Sequence, residues 1–220
     1  MNFCIRDYLW WQEGDAMQEV SSLPTLLRRR IGKTSQQTLH AAMQMPDAAQ
    51  SRIILCSRHA DFNRTLGILD AVVKNEQVSP ADFSLSAHHV LAGLLSIAQK
   101  NLGGHTAIAG GIESFCYGLV EATACLHDNP QQPILLIYYN VPLTAPFDEF
   151  NENFEKENLF VLALHANEGQ RISIEMEANT NIPCLVPPEK LFFDFITGND
   201  LESIAIGDTK IWHWMRHVAI

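Results

Sequence analysis

A strand, a glycine turn and a helix between Gly103 and Glu121 constrain the fold of this chain more than any other feature. Residues 105–109 (HTAIA) form a short apolar run framed by two glycine pairs, and small and apolar residues then fill a helical pattern from Ile112. Short apolar runs bounded by glycine are typical of buried strands, and paired glycines permit a sharp turn. The pattern predicts a central strand, an elbow at residues 110–111, and a helix buried between layers.

The other segments alternate between strand and helix patterns before a final run of strands. Further strands are predicted at residues 2–11, 52–57, 133–140, 159–165, 171–177 and 211–214. Further helices are predicted at residues 34–45, 61–74, 88–100 and 189–196, with Thr34 or Ser35 as the N-cap of the first, after a loop at residues 21–24 and a short helix. This order predicts an α/β fold in one domain, residues 1–220: a mixed, mostly parallel sheet flanked by helices, with an antiparallel edge.

Charge, cysteine content and hydropathy exclude several function classes. The formal net charge of −10 argues against a nucleic-acid partner, because backbone phosphates would repel an acidic surface. The cysteines lack the spacing of a zinc site, so we expect reduced thiols and neither a metal nor a cofactor. Arg6, Asp7 and Glu13 interrupt the N-terminal apolar stretch, and no run approaches the roughly 18 residues of a membrane span. We therefore expect a soluble, cytoplasmic protein.

The segment from Phe83 to Leu126 carries a resemblance to a known family. It resembles the N-terminal half of the β-ketoacyl synthases, the thiolase-fold condensing enzymes, and above all their shortened relatives, which pair with a ketosynthase as chain length factors. Three other pieces follow the family's order: residues 27–48, the apolar strand at residues 53–57, and Ser79-Pro80. The resemblance implies a thiolase-like fold of which this chain holds the N-terminal half only.

The elbow departs from the pattern of the active family. In active members the strand ends in Thr-Ala-Cys-Ser/Ala-Ser, with the cysteine at a helix N-terminus, where the helix dipole and free N–H groups lower the thiol pKa and stabilise an oxyanion. Counting forward from Gly103 aligns Gly110-Gly111-Ile112-Glu113-Ser114 with that motif. Isoleucine then occupies the nucleophile position, and a slip of one residue would place Glu113 there. Either assignment removes covalent acyl transfer through cysteine.

The resemblance also implies the absence of the family's two catalytic histidines. They belong to the C-terminal half of the full-length enzymes, and His165, His213 and His217 do not lie in the matching sequence setting. The loss of nucleophile and histidines together favours a non-enzymatic role.

A half fold predicts a partner. The two halves of the family fold share a buried helix layer, so we expect the helices at residues 112–126 and 88–99 to expose apolar faces that a partner covers. The resemblance implies a heterodimer with an active ketosynthase, whose acyl tunnel this chain shapes in polyketide or aryl polyene assembly on acyl carrier protein. Candidate contacts with the partner or carrier are Arg28, Arg29, Arg30, His105, Ile108, Ile112, Cys116 and Leu119.

Two alternatives stay open from the residues alone. Cys116 or Ser114 could act as the nucleophile of a degenerate acyltransferase or thioesterase, although a cysteine within an apolar helix is usually a small buried hydrophobe. The chain could also form a homodimeric acyl-binding scaffold. Trp212 and Trp214 share a strand face and are predicted to be core residues. The carboxylates of residues 148–157 are predicted to form a solvated face.

Overall fold

The computed structural model describes residues 1–16 and 25–217, so the loop predicted at residues 21–24 lies outside the described residues. The strands, in chain order, are β1 (Asn2–Gln12), β2 (Arg52–Cys56), β3 (His105–Ile108), β4 (Ile134–Asn140), β5 (Asn158–His165), β6 (Gln170–Ala178), β7 (Glu202–Ile206) and β8 (Lys210–Arg216). The helices are α1 (Thr25–Arg28), α2 (Lys33–Gln44), α3 (Phe62–Val73), α4 (Pro80–Ser86), α5 (Val90–Gln99), α6 (Ser114–Asp128) and α7 (Pro188–Thr197), with a 3₁₀ turn at Asp148–Phe150.

The described strands form one mixed sheet in the order β3-β2-β4-β5-β1-β6-β8-β7. The predicted α/β class, with a mixed sheet flanked by helices, is confirmed. The prediction that the sheet is mostly parallel is wrong, because only β2 pairs in parallel, with β3 and β4, while all other ladders between described strands are antiparallel. The N-terminal β1 lies between β5 and β6 and pairs antiparallel with both, an insertion that the order along the chain does not reveal.

The strand that precedes the elbow lies at an edge of the sheet. β3 pairs with β2 through Ile53↔His105 to Cys56↔Ile108, and no described strand pairs with its other side. The central position predicted for residues 105–109 is therefore wrong. Apolar content indicated burial, but His105 and Ala107 are exposed. A strand this short shows too few residues to distinguish a central position from an edge.

Two helical layers cover the sheet and create a core on each face. α2 and α5 pack on one face, where Leu39, Leu91 and Leu95 join alternate residues of β2, β4 and β5. α6 and α7 pack on the other, where Phe115 and Phe192 meet the opposite residues of the same strands. All seven residues of β4 are buried, as expected for a strand covered on both faces.

The helix after the elbow is covered by the chain itself. Phe115 and Leu119 of α6 are fully buried; the Phe115 ring lies 5.3 Å from that of Phe192 on α7. The Tyr117 ring lies 5.2 Å from that of Trp212 on β8. The expectation that residues 112–126 expose an apolar face is therefore wrong, because α7 and the β7–β8 hairpin occupy that side. The predicted helix at residues 88–99 is likewise partly buried, although Ile97 is 78% exposed.

Two elements escaped the sequence analysis, and one helix start was misassigned. One of them is α4, which Pro80 opens behind Ser79; Ser79 Oγ accepts a hydrogen bond from the backbone N–H of Asp82. Proline is favoured in a first helical turn because its missing N–H is not needed there. β7 is a short edge strand and was missed. α2 begins at Lys33 behind Gly32, so neither Thr34 nor Ser35 is its N-cap.

Candidate functional site at the elbow

The elbow is closed by a serine. Gly111 adopts a φ of +62°, in the left-handed region where glycine carries no steric penalty. Ser114, the first residue of α6, accepts a hydrogen bond at Oγ from the N–H of Gly110 (2.9 Å) and donates one to the carbonyl of Gly111 (2.7 Å). Its side chain is fully buried. Ser114 is thus engaged in holding the turn, and its complete burial keeps a substrate from reaching it.

The resemblance implies that Ile112 stands at the position of the family's nucleophile. Ile112 is 6% exposed and follows the tight turn, with Gly110 and Ile112 forming an isolated bridge. Its side chain forms one wall of a small cavity beneath the elbow, between the ends of β4 and β5. A hydrocarbon side chain offers no electron pair for attack on a thioester, so covalent catalysis at this position is excluded on chemical grounds.

Glu113 ties the elbow to the C-terminal hairpin. Its carboxylate accepts hydrogen bonds from the backbone N–H groups of Thr209 (3.0 Å) and Lys210 (2.9 Å) and from the Oγ1 of Thr209 (2.9 Å). It also accepts one from Trp212 Nε1 at 3.1 Å. Gly207 makes room for this contact, since a Cβ there would lie 2.4 Å from the Glu113 carboxyl group. Because these hydrogen bonds occupy its carboxylate, Glu113 connects the elbow to the hairpin and is not available as a catalytic base.

Cys116 is buried and has a weakly acidic thiol. It has no exposed surface, and burial, with lesser contributions from the carboxylates of Glu189 and Glu113, raises the pKa of its thiol well above the ordinary value. Burial also raises the pKa of Cys56, which lies near Gly118 of the same helix. Because the thiolate is the nucleophilic form, Cys116 fits the small buried hydrophobe and not a displaced nucleophile.

The predicted contact residues divide into buried and accessible groups. Ile112, Cys116 and Leu119 are buried within the chain, so their prediction as partner contacts is wrong; their apolar character serves the chain's own core. His105 on β3 is exposed and Ile108 is half-buried. Arg28 is half-buried, whereas Arg29 and Arg30 are exposed. The accessible candidates therefore lie on β3 and in the basic run.

A buried polar cluster beneath the elbow was missed. Glu189, in the first turn of α7, is 3% exposed; its Oε1 accepts hydrogen bonds from Tyr138 Oη (3.1 Å) and Asn158 Nδ2 (3.3 Å). Burial raises the pKa of Glu189 to about 7 against the opposing effect of these donors. The residues come from β4, β5 and α7, which are far apart along the chain, so no local sequence pattern signals the cluster.

One carboxylate of the predicted solvated face belongs to the same region. The Glu155 side chain is only 5% exposed and forms an ion pair with Arg58 at 2.9 Å between Oε2 and Nη1. Glu157 accepts a hydrogen bond from Thr34 Oγ1. The interpretation of residues 148–157 as uniformly solvated is therefore wrong for these two, because Arg58 and Thr34 arrive from elements more than 90 residues away in sequence.

Nearly the whole chain matches the model of a known protein family. The model described as β-ketoacyl synthase, N-terminal domain, matches residues 5–215. The chain belongs to this family. No match was found among curated protein sequences. The family match confirms the resemblance that the segment around the elbow shows to the β-ketoacyl synthases.

Solved structures share the fold of this β-ketoacyl synthase domain. A structure of the ketosynthase ApeO in complex with its chain length factor ApeC, from Xenorhabdus doucetiae, contains a chain that matches with a TM-score of 0.86 at 19% identity, over 98% of this chain and 100% of that one. The ishigamide ketosynthase/chain length factor matches with a TM-score of 0.61 at 14% identity, over 76% of this chain and 54% of that one.

A third match, AntDE:AntF, is a type II PKS acyl-carrier protein in complex with its ketosynthase bound to the hexaketide. It has a TM-score of 0.56 at 11% identity, over 76% of this chain and 59% of that one. The β-ketoacyl synthase domain thus spans somewhat more than half of these two chains and the whole of the ApeO/ApeC chain. At these identities the matches establish the thiolase-like fold of ketosynthases. Among the described helices, none is long and apolar enough to cross a membrane.

Proposed function

We propose that this chain, as a single domain over residues 1–220, is a non-catalytic chain length factor that forms a heterodimer with an active β-ketoacyl-ACP synthase and shapes the acyl tunnel of that enzyme. The observation that carries the proposal is the pairing of an inert elbow with an open sheet edge beside it. Ile112 cannot attack an acyl group, yet the strand and helix around it keep the family frame. A domain that keeps the strand and helix around the elbow but has no nucleophile there is suited to completing another subunit.

The outer side of β3 supplies the first half of a partner surface. The carbonyls of Gly104 and Ile108 accept hydrogen bonds from Ile53 and Ser57 on the inner side. In a parallel ladder alternate residues bond to the same neighbour, so His105 and Ala107 present their N–H and C=O groups outward. An unpaired edge of this kind is a template for a strand of another chain.

Helices on the same side of the sheet supply the second half. α3 is apolar, yet within the described structure none of its twelve residues is buried. α3 packs on α4, α4 on α5, and α5 beside β3. These helices and the segment after α5 carry large apolar side chains that are more than 45% exposed: Leu69, Val72, Val73, Phe83, Ile97 and Leu102. Covering such side chains stabilises a complex by about 25 cal/mol for each Å² of apolar surface removed from water.

The solved complexes support the class of partner. ApeC is the chain length factor of the ketosynthase ApeO, and the match to a chain of that complex extends over its full length. Together with the family resemblance of the elbow segment, this supports polyketide or aryl polyene assembly as the proposed pathway class. The buried α6 fits a subunit that completes a neighbour's tunnel wall, because this helix needs no partner to cover it.

Contact with acyl carrier protein is proposed at the exposed basic run. Carrier proteins are acidic, and a net charge of −10 makes most of this chain unfavourable for them. Arg29 and Arg30 are exposed and concentrate positive charge at one place. Replacing both with glutamate should weaken carrier binding to the heterodimer at low salt more than at high salt, while leaving ketosynthase binding unchanged.

A single substitution at the sheet edge tests the heterodimer. Ala107→Pro removes an outward N–H without touching the bonds between β3 and β2, so the chain should keep its fold and lose affinity for the ketosynthase by tenfold or more, on the order of one or two hydrogen bonds. Co-expression with an active β-ketoacyl-ACP synthase, followed by size-exclusion chromatography with light scattering, measures the complex.

Ala107→Ser is the matched control, since it keeps the N–H and should bind as the unmodified chain does. Equal complex formation by the proline and serine variants would contradict edge pairing. A monodisperse homodimer with no affinity for any ketosynthase would replace the proposal with the homodimeric scaffold.

A further inference from the structure

We propose that the cavity beneath the elbow is a binding site for one alkali-metal cation, held by the side-chain oxygens of Asn140, Asn158 and Glu155. The cavity has a volume of about 20 Å³ and is lined by these residues together with Arg58, Ile112, Tyr138 and Glu189, among others. That volume is enough for one occupant of the size of water or a small ion. The site does not depend on the proposed function, because all of its residues belong to this chain and no partner subunit is needed to form it.

The unpartnered atoms in the cavity wall are all acceptors. Asn140 and Asn158 are 3% and 6% exposed, and in the described structure Oδ1 of each amide and Oε1 of Glu155 have no hydrogen-bond partner. Buried acceptors without partners are rare because each costs about 1–3 kcal/mol. Three on residues around one small cavity therefore point to an occupant.

The amide orientations are determined by their other ends. Nδ2 of Asn140 donates to the carbonyl of Lys156 at 3.2 Å, and Nδ2 of Asn158 donates to Glu189 Oε1 at 3.3 Å. Turning either amide over would set an oxygen against an oxygen. Asn140 and Asn158 are also directly opposite each other across β4 and β5, which places both side chains on one face of the sheet.

The number of acceptors selects a cation over water. One water molecule donates two hydrogen bonds, so it leaves at least one of the three oxygens unsatisfied. A cation is coordinated by all of them at once. The charge balance agrees, because the Arg58 guanidinium in the cavity wall faces two carboxylates, Glu155 at 2.9 Å and Glu152 at 3.6 Å, which leaves one negative charge uncompensated.

The ligand types select an alkali metal. Within residues 1–16 and 25–217 no group of three or more His, Cys, Asp or Glu side chains could hold a metal ion. Ca²⁺ takes six to eight oxygen ligands, several of them carboxylates, and zinc prefers nitrogen and sulfur ligands. Two neutral amide oxygens and one carboxylate oxygen match neither ion. Na⁺ or K⁺ needs less charge and fits the volume.

Thermal unfolding of the full chain in matched chloride salts tests the site. At equal ionic strength and pH 7.5, NaCl or KCl should raise Tm above its value in choline chloride by on the order of 3 °C when the cation is in about tenfold excess over its Kd. Glu155→Gln should abolish the difference, and Glu168→Gln, which changes an exposed carboxylate elsewhere, should keep it.

Crystallography gives a second measurement that needs no variant. Crystals soaked in RbCl should show an anomalous peak between Asn140 and Asn158. Equal Tm values in all three salts together with no peak would overturn the proposal and leave the cavity to water. A Tm difference that persists in Glu155→Gln would also overturn it, because it would report a general salt effect.

Discussion

At the scale of single residues, each elbow position has a structural task that competes with chemistry. Ser114 holds the turn, Glu113 holds the hairpin, and Ile112 closes the cavity. The turn and the helix that follows it were predictable from the sequence. The tasks of these three residues were not, because the partners of Glu113 lie about 96 residues away in sequence.

Alkylation of the thiols separates the buried cysteine from a nucleophile. With iodoacetamide at pH 7.5, Cys116 and Cys56 should stay unmodified in the folded chain, because both are fully buried and burial raises their thiol pKa values. The half-buried Cys125 and Cys184 should react slowly. Mass mapping after digestion measures the modification, and a urea-unfolded sample, in which all five cysteines react, is the control. Modification of Cys116 before Cys125 would restore the acyltransferase hypothesis.

At the scale of elements, this chain covers α6 itself, although the sequence predicted that a partner would cover it. α7 and the β7–β8 hairpin close over α6, and Glu113 is the polar connection between α6 and that hairpin. The sequence indicated α6, α7 and β8 by their patterns, and Trp212 and Trp214 are confirmed as core residues. It did not indicate that they pack together, because amphipathic patterns identify an apolar face without naming the face that covers it.

Replacement of Glu113 tests this connection. Glu113→Ala leaves the N–H groups of Thr209 and Lys210 and the indole N–H of Trp212 without an acceptor, so the free energy of unfolding should fall by about 3 kcal/mol or more. Urea unfolding followed by tryptophan fluorescence measures it. Glu121→Ala, on the same helix at a half-exposed position, should cost less than about 1 kcal/mol. Equal losses in the two variants would show that Glu113 is not a tie.

At the scale of the whole molecule, the buried Glu189 makes stability depend on pH. Burial raises its pKa from 4.5 to about 7 in the folded chain, so between these values the folded state holds a proton that the unfolded state has lost. The free energy of unfolding should therefore decrease as pH rises from 4.5 to 7, by on the order of 3 kcal/mol, and then level off.

Urea unfolding at pH 5 and pH 7.5, in choline buffer free of Na⁺ and K⁺, measures this contribution. Glu189→Gln cannot ionise, so the fall in stability between the two pH values should be smaller in the variant by that amount. The same pH dependence in both proteins would place its origin in other groups.

The sequence by itself determined the family, the α/β class and most of the strands and helices, because these depend on local periodicity and on an ordered motif. Only the tertiary structure decided the rest. It placed β1 between β5 and β6, put β3 at an edge, and buried α6 under the chain's own C-terminal segment. The physical reason is that strand neighbours, coverage of apolar faces and convergence of Asn140, Glu155, Asn158 and Glu189 depend on contacts between residues far apart along the chain, which no local pattern encodes.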